Sequence, residues 1–200
     1  MKKMYKAMLL VLCAVLLVVA SVMGTLAYLQ MQTGTVKNTF TVGKVEITLK
    51  EYGLNADYTA NMNDKVDKLE NITLVPGRTI GKNPFITVAQ GSEKCYLFVK
   101  LVNNIPAAYG EINGFTGNWA VIDEANHIYA YTGALATNGV IDASENAKTV
   151  DVFTSFTCKS NVTAYNGETN LAIEITAYAV QAEGFNSAAE AWTAASGNFT

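Results

Sequence analysis

The chain has 200 residues, half of them apolar and only 16% charged, so most of it buries a core and a disordered chain is excluded. With 3 Pro and 15 Gly, collagen-like and low-complexity readings fall away as well. The formal charge of −3 lacks the basic excess of a nucleic-acid binder, and a single His with 3 Cys poorly supplies zinc clusters or Cys–His dyads.

Lys2, Lys3 and Lys6 form a positive start, followed by an uncharged run rich in Leu and Val. Thr25 and Ala27 place small residues at the −3 and −1 positions of a signal-peptidase site, which predicts cleavage between Ala27 and Tyr28. From Ala7 to Ala27 the run is 21 residues, long enough to span a bilayer, so an uncleaved anchor is the alternative. Cys13 follows Leu12 inside the run and has no lipoprotein-site context, and no type IV pilin or sortase-type pattern is present. Domain organisation follows: 1–27 signal peptide, 28–37 an N-terminal segment, 38–200 the folded domain. Cleavage leaves 11 basic and 17 acidic residues, a net charge of −6. Cys95 and Cys158 then remain as an even pair in an exported chain, either a disulfide or two small buried thiols.

The domain reads as mostly β. Val45, Ile47 and Leu49 alternate with Lys44, Glu46, Thr48 and Lys50 in a run from Thr39, a half-buried strand. Asp57 to Glu70 is polar with Met62, Val66 and Leu69 at helical spacing, a short helix or a loop. Pro76-Gly77 marks a turn. Arg78–Val88 and Cys95–Asn103 read as strands joined by a hairpin loop at Gln90–Lys94, the second strand apolar enough to be covered on both faces. Trp119–Ile122, His127–Tyr131, Val150–Cys158 and Leu171–Gln181 complete the set, with Ile173, Ile175, Ala177 and Ala179 on one face of the last. Ser187 and Glu190 form a capping box for a short closing helix with Gly197 as its C-cap, and Phe185 and Trp192 cover the sheet. The expected fold is all-β: an antiparallel sandwich of jelly-roll type with short peripheral helices, preceded by an N-terminal signal helix.

Catalytic chemistry is poorly supplied. There is no H-E-x-x-H, no G-x-S-x-G and no P-loop. His127 stands alone in a strand and reads as structural. Asp64, Asp67 and Glu70 lack EF-hand spacing and read as a solvated acidic face. The expectation is a non-enzyme with no catalytic residue, no metal and no cofactor.

One stretch is specific. Gly24-Thr25-Leu26-Ala27-Tyr28-Leu29, a polar stretch, then Asn38-Thr39-Phe40-Thr41-Val42-Gly43-Lys44-Val45-Glu46-Ile47 resembles the start of the TasA/camelysin family. Val75-Pro76-Gly77-Arg78, the strand Gly91–Lys100 and the closing Ala177–Phe185 with its Ala/Trp helix are similar too. The chain departs at Leu29-Gln30-Met31-Gln32, where the family usually carries a Thr-Asp-like polar pair.

The resemblance implies a Gram-positive secreted protein processed by the dedicated signal peptidase SipW. It implies a jelly roll that self-associates into extracellular fibres of a biofilm matrix or at the cell surface. The segment released by cleavage would add as a donor strand to the next subunit, with Tyr28 at its start, Leu29, Met31 and Val36 facing a groove, and Gln30 and Gln32 facing out. No nucleic-acid partner is implied, and membrane contact is limited to the signal segment before cleavage. Two other classes stand beside this one: a monomeric or membrane-anchored surface adhesin, and a protease, because camelysin-type relatives carry a metallopeptidase label that the single His and absent ligand cluster do not support.

Overall fold

The computed structural model describes residues 2–29, 44–162 and 171–199; within the first segment side chains are described at 4–9 and 11–18. The chain divides into two compact units, 1–41 and 42–200.

The first unit holds helix α1, Lys2–Leu29. Leucine, alanine and valine dominate it, and its described side chains, Leu9, Leu16 and Leu17 among them, are exposed. Among the described residues no helix is long and apolar enough to cross a membrane. Part of the Ala7–Ala27 run, including Thr25 and Ala27, lies beyond the described side chains. Tyr28 and Leu29 close this helix, whereas Met31 and Val36 lie outside the described residues.

The second unit is built on antiparallel strands. In chain order they are β1 (Ile47–Leu54), β2 (Ala60–Val66), β3 (Thr79–Ile80), β4 (Pro84–Val88), β5 (Cys95–Asn103), β6 (Gly110–Asn113) and β7 (Trp119–Asp123). Then come β8 (Ile128–Tyr131), β9 (Ala136–Thr137), β10 (Val140–Ile141), β11 (Lys148–Asp151), β12 (Ser155–Cys158) and β13 (Ile173–Gln181), and helix α2 (Ala188–Ala195) ends the unit with a 3-10 turn at Ser196–Asn198.

Among the described residues three sheets result. The first has the order β11-β4-β1-β2. The second runs β7-β8-β5-β10-β9, and β13 pairs with β5 along nine residues from Ile173↔Asn103 to Gln181↔Cys95. The third is β3-β12-β6. Ile86, Val88 and Val150 of the first sheet share one core with Cys95, Leu97, Val99 and Leu101 of the second. Ile173, Ile175, Ala177 and Ala179 pack against this core from one face of β13, as their period of two requires. Tyr96 and Phe98, on the opposite face of β5, lie under α2. That double cover explains why β5 is apolar almost throughout.

Several elements differ from the sequence reading. Asp57–Glu70 holds no helix: Ala60–Val66 is an edge strand, and the helical spacing of its few apolar residues is coincidental. Gln90–Lys94 is not a hairpin loop, because β4 and β5 belong to different sheets and the segment carries the chain between them. Arg78–Val88 is two strands. At Gly81 the chain passes against Ala60, leaving no room for a Cβ, and moves from the third sheet to the first. Val150–Cys158 makes the reverse move: Val152 N–H donates to Pro84 O at 2.8 Å and Thr154 N–H to Asn113 O at 2.9 Å. Of the strand expected from Thr39, residues 39–43 lie outside the described residues, Lys44–Glu46 are irregular and Ile47–Leu54 is strand.

The closing helix starts as its capping box requires, with Glu190 N–H donating to Ser187 Oγ at 3.2 Å. The Glu190 carboxylate reaches one residue further back, accepting from Asn186 N–H at 2.9 Å. Gly197 is not the C-cap; Ser196 holds that place and Gly197 sits inside the 3-10 turn. Trp192 packs on Phe98 and Tyr178 with ring centroids 5.1 and 5.5 Å apart.

Candidate functional site

Next to Pro76-Gly77 lies a segment with the pattern of a strand and, among the described residues, no strand partner. Ile72 and Leu74 pack inward on the cluster of Ile80, Ile105 and Phe156, while Asn71 and Thr73 are exposed. From Ile72 on, that is the alternation of a half-buried strand, and Asn71, a bend at φ 56°, precedes it. Yet among the described residues no backbone hydrogen bond is made by Ile72, Thr73 or Leu74. Facing this segment is Leu171-Ala172-Ile173, the entry to β13. Between the two walls is a cavity of about 740 Å³, floored by Ile80, Ile105 and Phe156.

Among the described residues β13 pairs with β5 alone. The groove is apolar below, where Ile80, Ile105 and Phe156 lie.

One end of the groove is fixed by charge. Lys82 lines it and donates to the Glu51 carboxylate, with the two side chains only 12% and 10% exposed. The second oxygen of Glu51 accepts from Leu69 N–H at 3.0 Å. A buried carboxylate thus ties the first turn of the groove wall to strand β1. Each partner compensates the other's charge, so the groove itself holds no unpaired ion at this end.

The residues singled out from sequence fall elsewhere. His127 is an exposed turn residue with φ of 57°; its N–H donates to Glu124 O at 3.2 Å, and its carbonyl accepts from Leu101 N–H at 3.1 Å. It closes the β7–β8 turn. Asp64, Asp67 and Glu70 do not line a helix face: Asp64 lies in β2, Asp67 accepts from Lys50 at 2.8 Å and Glu70 from Lys68 at 2.7 Å. Among the described residues no group of three or more His, Cys, Asp or Glu is placed to hold a metal ion.

Cys95 and Cys158 are both buried and both free. Cys95 belongs to the main core and Cys158 to the cluster under the groove, so the disulfide alternative is not realised here and the two are separate packed thiols. Burial pushes the Cys95 thiol up to about 11.

The groove residues were not singled out from sequence, although one signal was present. Asn71-Ile72-Thr73-Leu74 alternates polar and apolar just before the Pro76-Gly77 turn. What lies beside it is a matter of topology, which no local pattern reveals.

Compared with known proteins, the chain matches no family model, no curated protein and no solved structure.

Proposed function

We propose that the chain is exported, loses residues 1–27, and works as a structural subunit of extracellular fibres in a Gram-positive biofilm matrix. On this reading the domain is a jelly roll, and the mature N-terminus from Tyr28 is a donor strand added to the sheet of another subunit. The carrying observation is the run from Gly24 to Ile47. A small-x-Ala site, an aromatic and an N-x-F-T-x-G-x-V-x-I stretch occur there in the order found in the TasA/camelysin family.

The energetics support strand addition. Each ladder hydrogen bond contributes a net of about 0.5–1.5 kcal/mol. Each fully buried Leu or Met adds about 1.5–3 kcal/mol. A contact of several such residues holds subunits head to tail, and head-to-tail contacts that do not close on themselves make filaments. Cleavage acts as the trigger: before it, the donor segment is joined to the apolar leader, and after it the segment is free to pair.

A second reading keeps α1 as an uncleaved anchor presenting a monomeric adhesin. The exposed apolar side chains along α1, such as Leu9, Leu16 and Leu17, favour it, because a bilayer would cover them. Intact-mass analysis of protein recovered from the medium separates the two. A mature chain starting at Tyr28 supports the fibre subunit; an intact leader retained with the membrane fraction supports the anchor. Substituting large residues at Thr25 and Ala27 is expected to leave monomers, and fibres from the uncut form contradict the trigger.

A further inference from the structure

We infer that Asn138-Gly139, at the tip of the β9–β10 hairpin, is a site of spontaneous covalent modification. Its side-chain amide is lost as ammonia and residue 138 becomes aspartate or isoaspartate, while the identical dipeptide Asn113-Gly114 is spared. A third such pair, Asn166-Gly167, lies outside the described residues.

The reaction needs only water. Gly139 N attacks Asn138 Cγ; the N–Cγ bond forms, the Cγ–Nδ2 bond breaks, and the leaving nitrogen takes the amide proton of Gly139 and departs as ammonia. A five-membered succinimide results. Water opens it at Cγ to give aspartate, or at the main-chain carbonyl to give isoaspartate, whose backbone runs through Cβ and Cγ. Either way a neutral amide becomes a carboxylate, and no electrons change hands. Glycine in second place leaves the attacking nitrogen unshielded by a Cβ.

The fold separates the two dipeptides. Asn138 is exposed, and among the described residues its side chain makes no hydrogen bond. It sits between strands of two residues each, paired at Val140↔Thr137 and Ile141↔Ala136. So short a ladder opens locally at small cost, which lets residue 138 leave its φ of 52° for the attack. Around Gly139 there is room: an added Cβ would meet nothing closer than 3.7 Å.

Asn113 is held on every side. It lies in β6 opposite Ser155 of β12. Its Nδ2 donates to Ser155 Oγ at 3.2 Å and to Thr157 Oγ1 at 2.9 Å. Its carbonyl accepts from Thr154 N–H at 2.9 Å and from Thr154 Oγ1 at 3.2 Å. Gly114 is pressed on Thr154, where a Cβ would come within 2.5 Å of Oγ1. Attack at Cγ requires the amide freed and the backbone turned. Giving up two net hydrogen bonds alone slows that by about tenfold.

The two products differ in consequence. Aspartate tolerates the left-handed region as asparagine does, so the turn survives with one added negative charge. Isoaspartate lengthens the main chain, and a two-residue turn then no longer sets the register of Thr137 and Val140.

The test ages the purified full chain in mildly alkaline buffer, native and in guanidinium chloride, and maps both dipeptides by proteolysis and mass spectrometry. In the native chain Asn138 is expected to convert about tenfold or more faster than Asn113. In the unfolded chain the two rates converge, since the dipeptides are identical. Native Asn113 converting as fast as Asn138, or native Asn138 intact while the unfolded chain converts, overturns the site. A difference that persists in the unfolded chain overturns the fold as its cause. Hydrogen exchange then compares the isoaspartate fraction with Asn138→Asp. Protection at Val140 and Ile141 is expected to fall only in the former; equal protection in both contradicts the loss of register.

Discussion

Lys82 and Glu51 form an ion pair almost closed to water, reaching from the turn between β3 and β4 to the middle of β1. The same carboxylate holds Leu69 N–H, so one buried charge couples a sheet strand to the wall of the groove. Breaking such a pair from one side leaves an uncompensated buried charge. Glu51→Ala or Lys82→Ala is expected to lower stability by about 3 kcal/mol. Replacing both by Leu and Met recovers most of that loss, to within about 1 kcal/mol. Urea unfolding followed by tryptophan fluorescence measures each variant. A single variant as stable as the parent contradicts the coupling.

His127 occupies the left-handed region, φ 57°, where a side chain costs about 1–2 kcal/mol and glycine does not. Glycine's extra freedom in the unfolded chain offsets about half of that. His127→Gly is therefore expected to raise stability by about 0.5–1 kcal/mol and to leave assembly unchanged. A loss of assembly in this variant would reveal a functional imidazole that the turn geometry gives no reason to expect.

Cys95 is shielded on every side, and burial raises its thiol from the model-compound value of 9.0 to about 11. The sign is that of an acid whose folded form favours the proton. Its contribution to stability is fully present below pH 9 and is lost as pH rises through 11. Two results follow. Thiol reagents at pH 8 label neither Cys95 nor Cys158 until the chain unfolds, and stability declines between pH 9 and 11 less steeply in Cys95→Ala, once its cavity cost is subtracted. Rapid labelling of the native protein at either position contradicts the buried placement.

Trp192 fastens α2 to the second sheet, with Phe98, Tyr178 and Phe199 around it at centroid distances of 5.1, 5.5 and 5.6 Å. The ring is half-buried, so Trp192→Ala is expected to cost about 2–3 kcal/mol, below the range for a fully buried Trp. Hydrogen exchange on α2 reports the release of the helix. Unchanged protection there contradicts the packing role.

Local chemistry made parts of this fold legible. β5 was bounded correctly at Cys95 and Asn103 because a fully covered strand is apolar between polar ends. The single face of β13 and the Ser187 cap of α2 followed from period and capping chemistry. What stayed hidden was where strands change sheets. At Val152–Thr154 the β propensity is unbroken and at Gly81–Pro84 it is interrupted by Gly, Asn and Pro, but neither local signal says that the chain crosses between the first and third sheets there. β2 was missed because Asn61, Asn63, Asp64 and Lys65 suit a solvated edge, where a strand needs few apolar residues. The β9–β10 hairpin was missed despite its signal: Asn138 and Gly139, at φ 52° and 80°, make the two-residue turn that favours such a pair. The groove was hidden for the same reason as the sheet changes, since its two walls lie about 100 residues apart in sequence.

The most direct test of the fibre account is negative-stain microscopy of protein beginning at Tyr28 beside protein beginning at Lys37. The account predicts fibres from the first and monomers from the second, because only the first carries Leu29, Met31 and Val36. Monomers from both, or fibres from both, contradict a fibre joined by its N-terminal strand.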